Sequence, residues 1–138
     1  MTGGATRGPE QGGLAAAEVR AAFDRYEAAL RSGDLATMAE LFDEGDQVVR
    51  FGIADEQRGA AALAAWRAVQ AAPRPGRRLE GTTITVLCAD AAVVSTRFAY
   101  PDRPRIGRQQ QTWVRRGGGW RIAAAHVSEI DAPAMPPP

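Results

Sequence analysis

Two side chains sit where their chemistry is at odds with their neighbours. Tyr26 falls in the helical repeat Val19, Ala22, Phe23, Tyr26 and Leu30, on the apolar side, so its hydroxyl needs a partner inside the protein. That partner is a backbone carbonyl in a core role, or a bound molecule if the hydroxyl acts as donor or general acid. Arg50 follows Val48 and Val49 in a short apolar stretch. Strand alternation sets Val48 and Arg50 on one face, Val49 and Phe51 on the other. A guanidinium in such a place needs an anion. Asp55 or Glu56 would supply it as a structural ion pair; alternatively a ligand carboxylate would, which arginine binds through two parallel hydrogen bonds.

Four further groups widen the candidate site. Leu63, Trp66, Arg67 and Gln70 form one helical stripe; Trp66 reads as core or pocket wall, Arg67 as a stem lying along the surface or a second cation for a ligand. Alternation in the run 107–115 groups Gln109, Gln111 and Trp113 on one face; if Trp113 faces inward the two amides do too and need partners that a polar ligand could supply, and otherwise the run is a polar surface ladder with an exposed tryptophan. His126, the single histidine, shares parity with Trp120, Ile122 and Ser128. It reads as a satisfied structural histidine or as a proton carrier at the pocket mouth. Cys88 reads as buried packing in a strand, not a nucleophile. No Gly-x-Ser-x-Gly elbow, phosphate loop or dinucleotide fingerprint occurs. No metal or organic cofactor is expected.

Composition sets the bounds. The 138 residues suffice for one domain with one core. Seventeen arginines and no lysine, with 28 alanines and no asparagine, point to codon bias, so most arginines carry no message. A net charge of +1 without a basic block argues against nucleic-acid binding. No apolar run approaches the ~20 residues of a membrane span, and no signal peptide is visible at the N-terminus. One cysteine excludes an internal disulfide framework. A cytoplasmic protein acting on a small anionic or polar molecule is the expectation.

The elements that must position these residues follow from periodicity. Residues 1–13 and 132–138 read as flexible tails, the second ending in three prolines, around a domain at 14–131. The first helix stops at Gly33, with Arg20, Asp24, Glu27 and Arg31 as its solvent face. Asp34 caps a second helix with Leu35, Met38, Leu41 and Phe42 inward. A strand at 47–51 and a third helix from Gly59 to about Ala72 come next. Four antiparallel strands finish the chain: 78–88, 92–100, 107–116 and 120–130, with turns at Ala89-Asp90 and Gly117-Gly118-Gly119. Three N-terminal helices packed on one face of a curved antiparallel sheet make an α+β domain similar to the cone of the nuclear-transport-factor-2-like superfamily.

The chain also resembles a particular family, the AtzH-like proteins with their oxalurate-pathway HpxZ relatives. The resemblance is carried by Val19–Leu30, Leu41-Phe42, Val49-Arg50-Phe51-Gly52, Trp66-Arg67, Gly107-Arg108-Gln109, Gln111–Arg115, Gly119–Ile122 and Ala124–Ser128. It implies a homodimer formed through the sheet and hydrolysis of small carboxylated ureas without a cofactor. It also ties a helix-1 tyrosine and a first-strand arginine to catalysis, which fall on Tyr26 and Arg50. His126 joins them as a candidate catalytic group, with Phe51, Trp66, Arg67, Gln109, Gln111 and Trp113 as substrate contacts. Phe51 stands where the family commonly has tyrosine, Asp55 where it has glutamate, and Gln70 where a second arginine is frequent. Those departures shift the expected ligand toward a singly charged or larger molecule. Three other readings stay open: a SnoaL-like cyclase, isomerase or dehydratase; a non-catalytic ligand-binding accessory protein; and a purely structural dimer module with a closed core, in which Arg50 pairs with Asp55 or Glu56.

Overall fold

A computed structural model describes residues 9–132. Residues 1–8 and 133–138, the outer parts of the two expected tails, lie outside the described residues. Helix α1 (Pro9–Ser32) buries Ala15, Val19, Phe23, Tyr26 and Ala29 along one stripe. Burying a side chain such as Phe23 contributes about 1.5–3 kcal/mol. Glu27 corrects the expected solvent face: only 4% exposed, it follows Val19 and Phe23 at four-residue steps and so belongs to the inward stripe. Gly33, at φ 73°, ends the helix in a left-handed conformation that other residues adopt at a cost. Asp34 then caps α2 (Leu35–Leu41), its carboxylate accepting from the Thr37 amide at 3.1 Å and the Thr37 hydroxyl at 2.7 Å. Met38 and Leu41 are buried, whereas Leu35, expected inward, is exposed.

Strand β1 (Val49–Phe51) is followed by a short strand that periodicity did not reveal, β2 (Glu56–Arg58). Helix α3 (Ala60–Ala68) ends four residues before the predicted stop, releasing Val69–Ala72 before the prolines. Strands β3 (Arg78–Cys88), β4 (Ala91–Tyr100), β5 (Arg103–Arg116) and β6 (Gly119–Asp131) follow, and Cys88, expected buried, is exposed at the end of β3. Both predicted turns are present, at Ala89-Asp90 and at Gly117-Gly118. Strand β5 starts earlier than predicted because the loop before it shrinks to Pro101-Asp102.

The expected cone is not what these strands form. The sheet is a single open array in the order β2-β1-β6-β5-β4-β3, with β2 and β3 as two unjoined edges. It is also mixed, since β1 runs parallel to β6 (Arg50 beside Ala125) while every other pair is antiparallel. The physical reason lies in connectivity: β1 and β6 are separated along the chain by β2, α3 and three further strands and are not joined by a hairpin, so nothing forces the antiparallel sense. The helices contact the inner face of this α+β sheet, and the core is built from Val19, Phe23, Leu41, Val94, Trp113 and Ile122. No helix among the described residues is long and apolar enough to cross a membrane.

One irregularity governs the faces. Register between β5 and β6 slips between Thr112 and Trp113, so Thr112 pairs Ala124 and Trp113 pairs Ile122, leaving Ala123 as the extra residue of a bulge. Trp120 and Ile122 therefore point inward with Ala125, and His126 does not. His126 pairs Gln110 and Phe51 across the outer face.

Candidate functional site

A cavity of about 420 Å³ lies between α1, the β1–β2 turn and the inner face of β4, β5 and β6. The stripe that buries Phe23 also carries Tyr26 to this cavity, where the tyrosine ring meets Phe42 edge-on at 5.9 Å. Its hydroxyl accepts a hydrogen bond of 2.7 Å from Arg67 Nη2 and keeps its own proton to donate. The partner is thus a guanidinium, not the backbone carbonyl a purely structural tyrosine would use.

Arg50 enters from β1 with the predicted inward parity. Its Nη1 donates to Asp55 Oδ1 at 2.7 Å and to Gln57 Oε1 at 3.0 Å, and Gln57 Nε2 donates to the same Asp55 oxygen at 2.9 Å. The guanidinium carbon lies 4.6 Å from the centre of the Trp66 ring. The Arg50–Asp55 pair therefore exists, but it opens on the cavity, and Arg50 Nε and Nη2 find no acceptor among the described residues. Gly52 makes room for it: a Cβ there would collide with the Asp55 carboxylate and the Arg50 guanidinium. Gly107 does the same for Phe98, whose ring lies over it as cavity wall.

A buried ion pair that periodicity did not reveal closes the other wall. Arg77 Nε and Nη2 donate to the two oxygens of Glu27 at 2.8 and 3.1 Å, and both side chains are 5% exposed. Arg77 Nη2 also donates to Gln109 Oε1, Nη1 to Tyr100 Oη, and Gln109 Nε2 donates to Glu27. Burial works to lower the pKa of Arg77, but the Glu27 hydrogen bonds and charge, with Tyr100, more than offset it and hold it above its ordinary value. At the mouth, Glu129 accepts from Arg103, which holds its carboxyl below the ordinary 4.5 despite desolvation.

The predicted residues divide into three groups. Tyr26, Arg50, Arg67, Gln109 and Gln111 line the cavity together. Trp66 and Trp113 stand behind it: Trp66 stacks on Arg50, and Trp113, fully buried, donates from Nε1 to Gln111 Oε1 at 3.1 Å. These bonds answer much of the amide question, because Gln109 is satisfied by Glu27 and Arg77 and the Gln111 carbonyl by Trp113. Phe51 and His126 are separated from the cavity, meeting each other edge-on at 5.6 Å on the outer face. The bulge at Ala123 is the reason for His126, and strand alternation for Phe51. Glu27 had a readable signal in the spacing Val19-Phe23-Glu27. Arg77 had none, since it lies between the Pro75-Gly76 link and β3. Among the described residues, no three His, Cys, Asp or Glu side chains gather in a group that could hold a metal ion.

The AtzH-like family model matches residues 13–133. The chain is similar to a solved cystatin-like fold protein from Burkholderia xenovorans, with 44% identity, a TM-score of 0.83, and coverage of 88% of this chain and 94% of that one. It is similar to a protein of unknown function of the DUF3225 family from Pectobacterium atrosepticum, with 39% identity, a TM-score of 0.85, and coverage of 91% and 100%. A nuclear-transport-factor-2-like protein of unknown function from Pseudomonas putida shares the fold at 22% identity and a TM-score of 0.65, over 82% of this chain and 86% of that one. No curated protein matches.

Proposed function

From the premise that this chain belongs to the AtzH-like family, within the nuclear-transport-factor-2-like superfamily, we propose that it is an amidohydrolase acting on a carboxylated urea or related ureido or amide acid. The observation that carries this reading is the convergence of the Tyr26 hydroxyl and the Arg50 guanidinium on one small, strongly charged cavity. Water attacks the substrate carbonyl carbon, and the Arg50 Nε–H and Nη2–H groups stabilise the negative charge that develops on oxygen. Asp55, whose Oδ2 has no hydrogen-bond partner among the described residues, orients the water and takes its proton. The C–N bond then breaks while Tyr26 protonates the leaving nitrogen, and the Asp55 proton restores the phenol. His126, on the far face of the sheet, has no part in these steps.

The charged lining favours this reading over a SnoaL-like cyclase, isomerase or dehydratase, which calls for a larger, more apolar cavity. An accessory binding protein would hold the same ligands without turnover. The deciding experiment measures ammonia release from a panel of carboxylated ureas by wild type, Arg50→Ala and Tyr26→Phe. Activity in the wild type that falls at least about a hundredfold in both variants is expected; unchanged activity in both overturns the assignment. The homodimer implied by the family would use the outer face of the sheet, where Phe51 and Leu87 are exposed. Light scattering on Phe51→Arg tests this, with a shift to monomer expected.

A further inference from the structure

Five arginines border the cavity: Arg50, Arg67, Arg74, Arg77 and Arg103. Four of them have a carboxylate of their own. Asp55 stands 2.7 Å from Arg50, Asp102 3.0 Å from Arg74 and Glu27 2.8 Å from Arg77, and Glu129 pairs with Arg103. Arg67 has none within 4.0 Å among the described residues. Its Nη2 donates to the Tyr26 hydroxyl, its Nη1 lies 3.4 Å from the Met38 sulfur, and its Nε is buried with no acceptor at all. A guanidinium has five N–H donors, and a thioether is a weak acceptor. The rings of Tyr26, Phe42 and Trp66, 5.5–5.9 Å away, attract the charge but leave the remaining in-plane N–H groups unbonded. A part-buried cation whose Nε is sealed away with no acceptor, and which has no carboxylate beside it, carries a desolvation cost that an anion in the cavity would offset.

We infer, on the reading of this cavity as the reacting site, that Arg67 is the anchor for the substrate's carboxylate and that the cavity is built for ligands with a single negative charge. A carboxylate accepts charge-assisted N–H bonds, and the Nη1 and Nη2 groups of Arg67 each keep one N–H that neither Met38 nor Tyr26 uses. Arg50, already matched by Asp55, remains for the reacting carbonyl. A second carboxylate on the ligand would find no unmatched cation and would face Asp55 and Glu129, both on the cavity wall.

The test is calorimetric titration with two probes of nearly equal size, N-carbamoyl-asparagine with one carboxylate and N-carbamoyl-aspartate with two. The monoanion should bind at least about tenfold more tightly than the dianion. Arg67→Gln should weaken monoanion binding at least about tenfold, with Arg67→Lys recovering part of the loss. Thermal unfolding of each variant checks that the fold is kept. Tighter binding of the dianion, unchanged affinity in Arg67→Gln, or no binding of either probe to the wild type at millimolar concentration each overturns the anchor. Binding that depends on Arg67 but is never followed by ammonia release overturns hydrolysis and leaves the anchor in place. Turnover with a KM indifferent to Arg67→Gln does the reverse.

Discussion

Arg77 and Arg67 border the same cavity and differ in what surrounds them. Around Arg77 stand both oxygens of Glu27, the amide of Gln109 and the hydroxyl of Tyr100, with the Phe98 ring 4.3 Å from the guanidinium carbon. Around Arg67 stand three aromatic rings, one hydroxyl and a sulfur. The first network matches four of the five N–H donors and the charge within the protein, linking helix α1 to the residue before β3 and to β4 and β5 across the cavity wall. The second is incomplete, and its missing partner is an anion. A buried cation whose charge is matched holds a fold together; a part-buried one with no carboxylate beside it is prepared for a ligand.

The contrast can be broken most forcefully from the Arg77 side. Glu27→Ala strips a buried guanidinium of its counterion and should cost about 3–5 kcal/mol in urea unfolding, far more than truncation of a solvent-facing glutamate. Gly52→Ala comes next. The added Cβ forces the Arg50–Asp55 pair apart, with about 1–3 kcal/mol lost and turnover reduced along with it. Arg67→Met should leave stability within about 1 kcal/mol of wild type, or raise it, because it removes donors that are unsatisfied in the free protein. A large loss there would erase the distinction between the two arginines.

Smaller effects sharpen the picture at the cavity mouth and on the outer face. Glu129 has its pKa depressed in the folded protein, first by the hydrogen bond from Arg103. Its contribution is therefore fully present above the unfolded value near 4.5 and is lost as pH falls through the folded value. Glu129→Gln should be less stable than wild type near neutrality, with the gap closing on acidification below that value in melts across pH. His126→Ala, far from the chemistry, should change ammonia release little and stability by no more than about 0.5 kcal/mol.

How far the site was legible depended on whether its signal was local. Tyr26 and Arg50 could be read because each interrupts an apolar pattern whose period places it inward. Glu27 was misassigned by one helical face, since an acid beside Arg31 also fits an exposed i,i+4 pair. The outward turn of His126 hung on a single extra residue, Ala123, and a bulge of one residue inverts every side chain beyond it. The cone expectation failed at the same level of organisation: strand propensities at β1 and β6 carry no information about whether the two meet parallel, or whether the array closes.

The sequence by itself determined helix α1 from residue 14 onward, helix α2, the run of long C-terminal strands with their turns, the inward stripe of Tyr26, and the shared faces of Val48 with Arg50 and of Gln109, Gln111 and Trp113. All of these follow from periodicities of 3.6 or 2 within one element. Tertiary structure alone decided that Glu27 answers Arg77 across 50 residues, that Asp55 and not Glu56 answers Arg50, and that no carboxylate among the described residues answers Arg67. The reason is electrostatic. A charge's role depends on which opposite charge ends within about 4 Å of it in a poorly solvated place, and that distance is set by packing between elements, not by spacing along the chain.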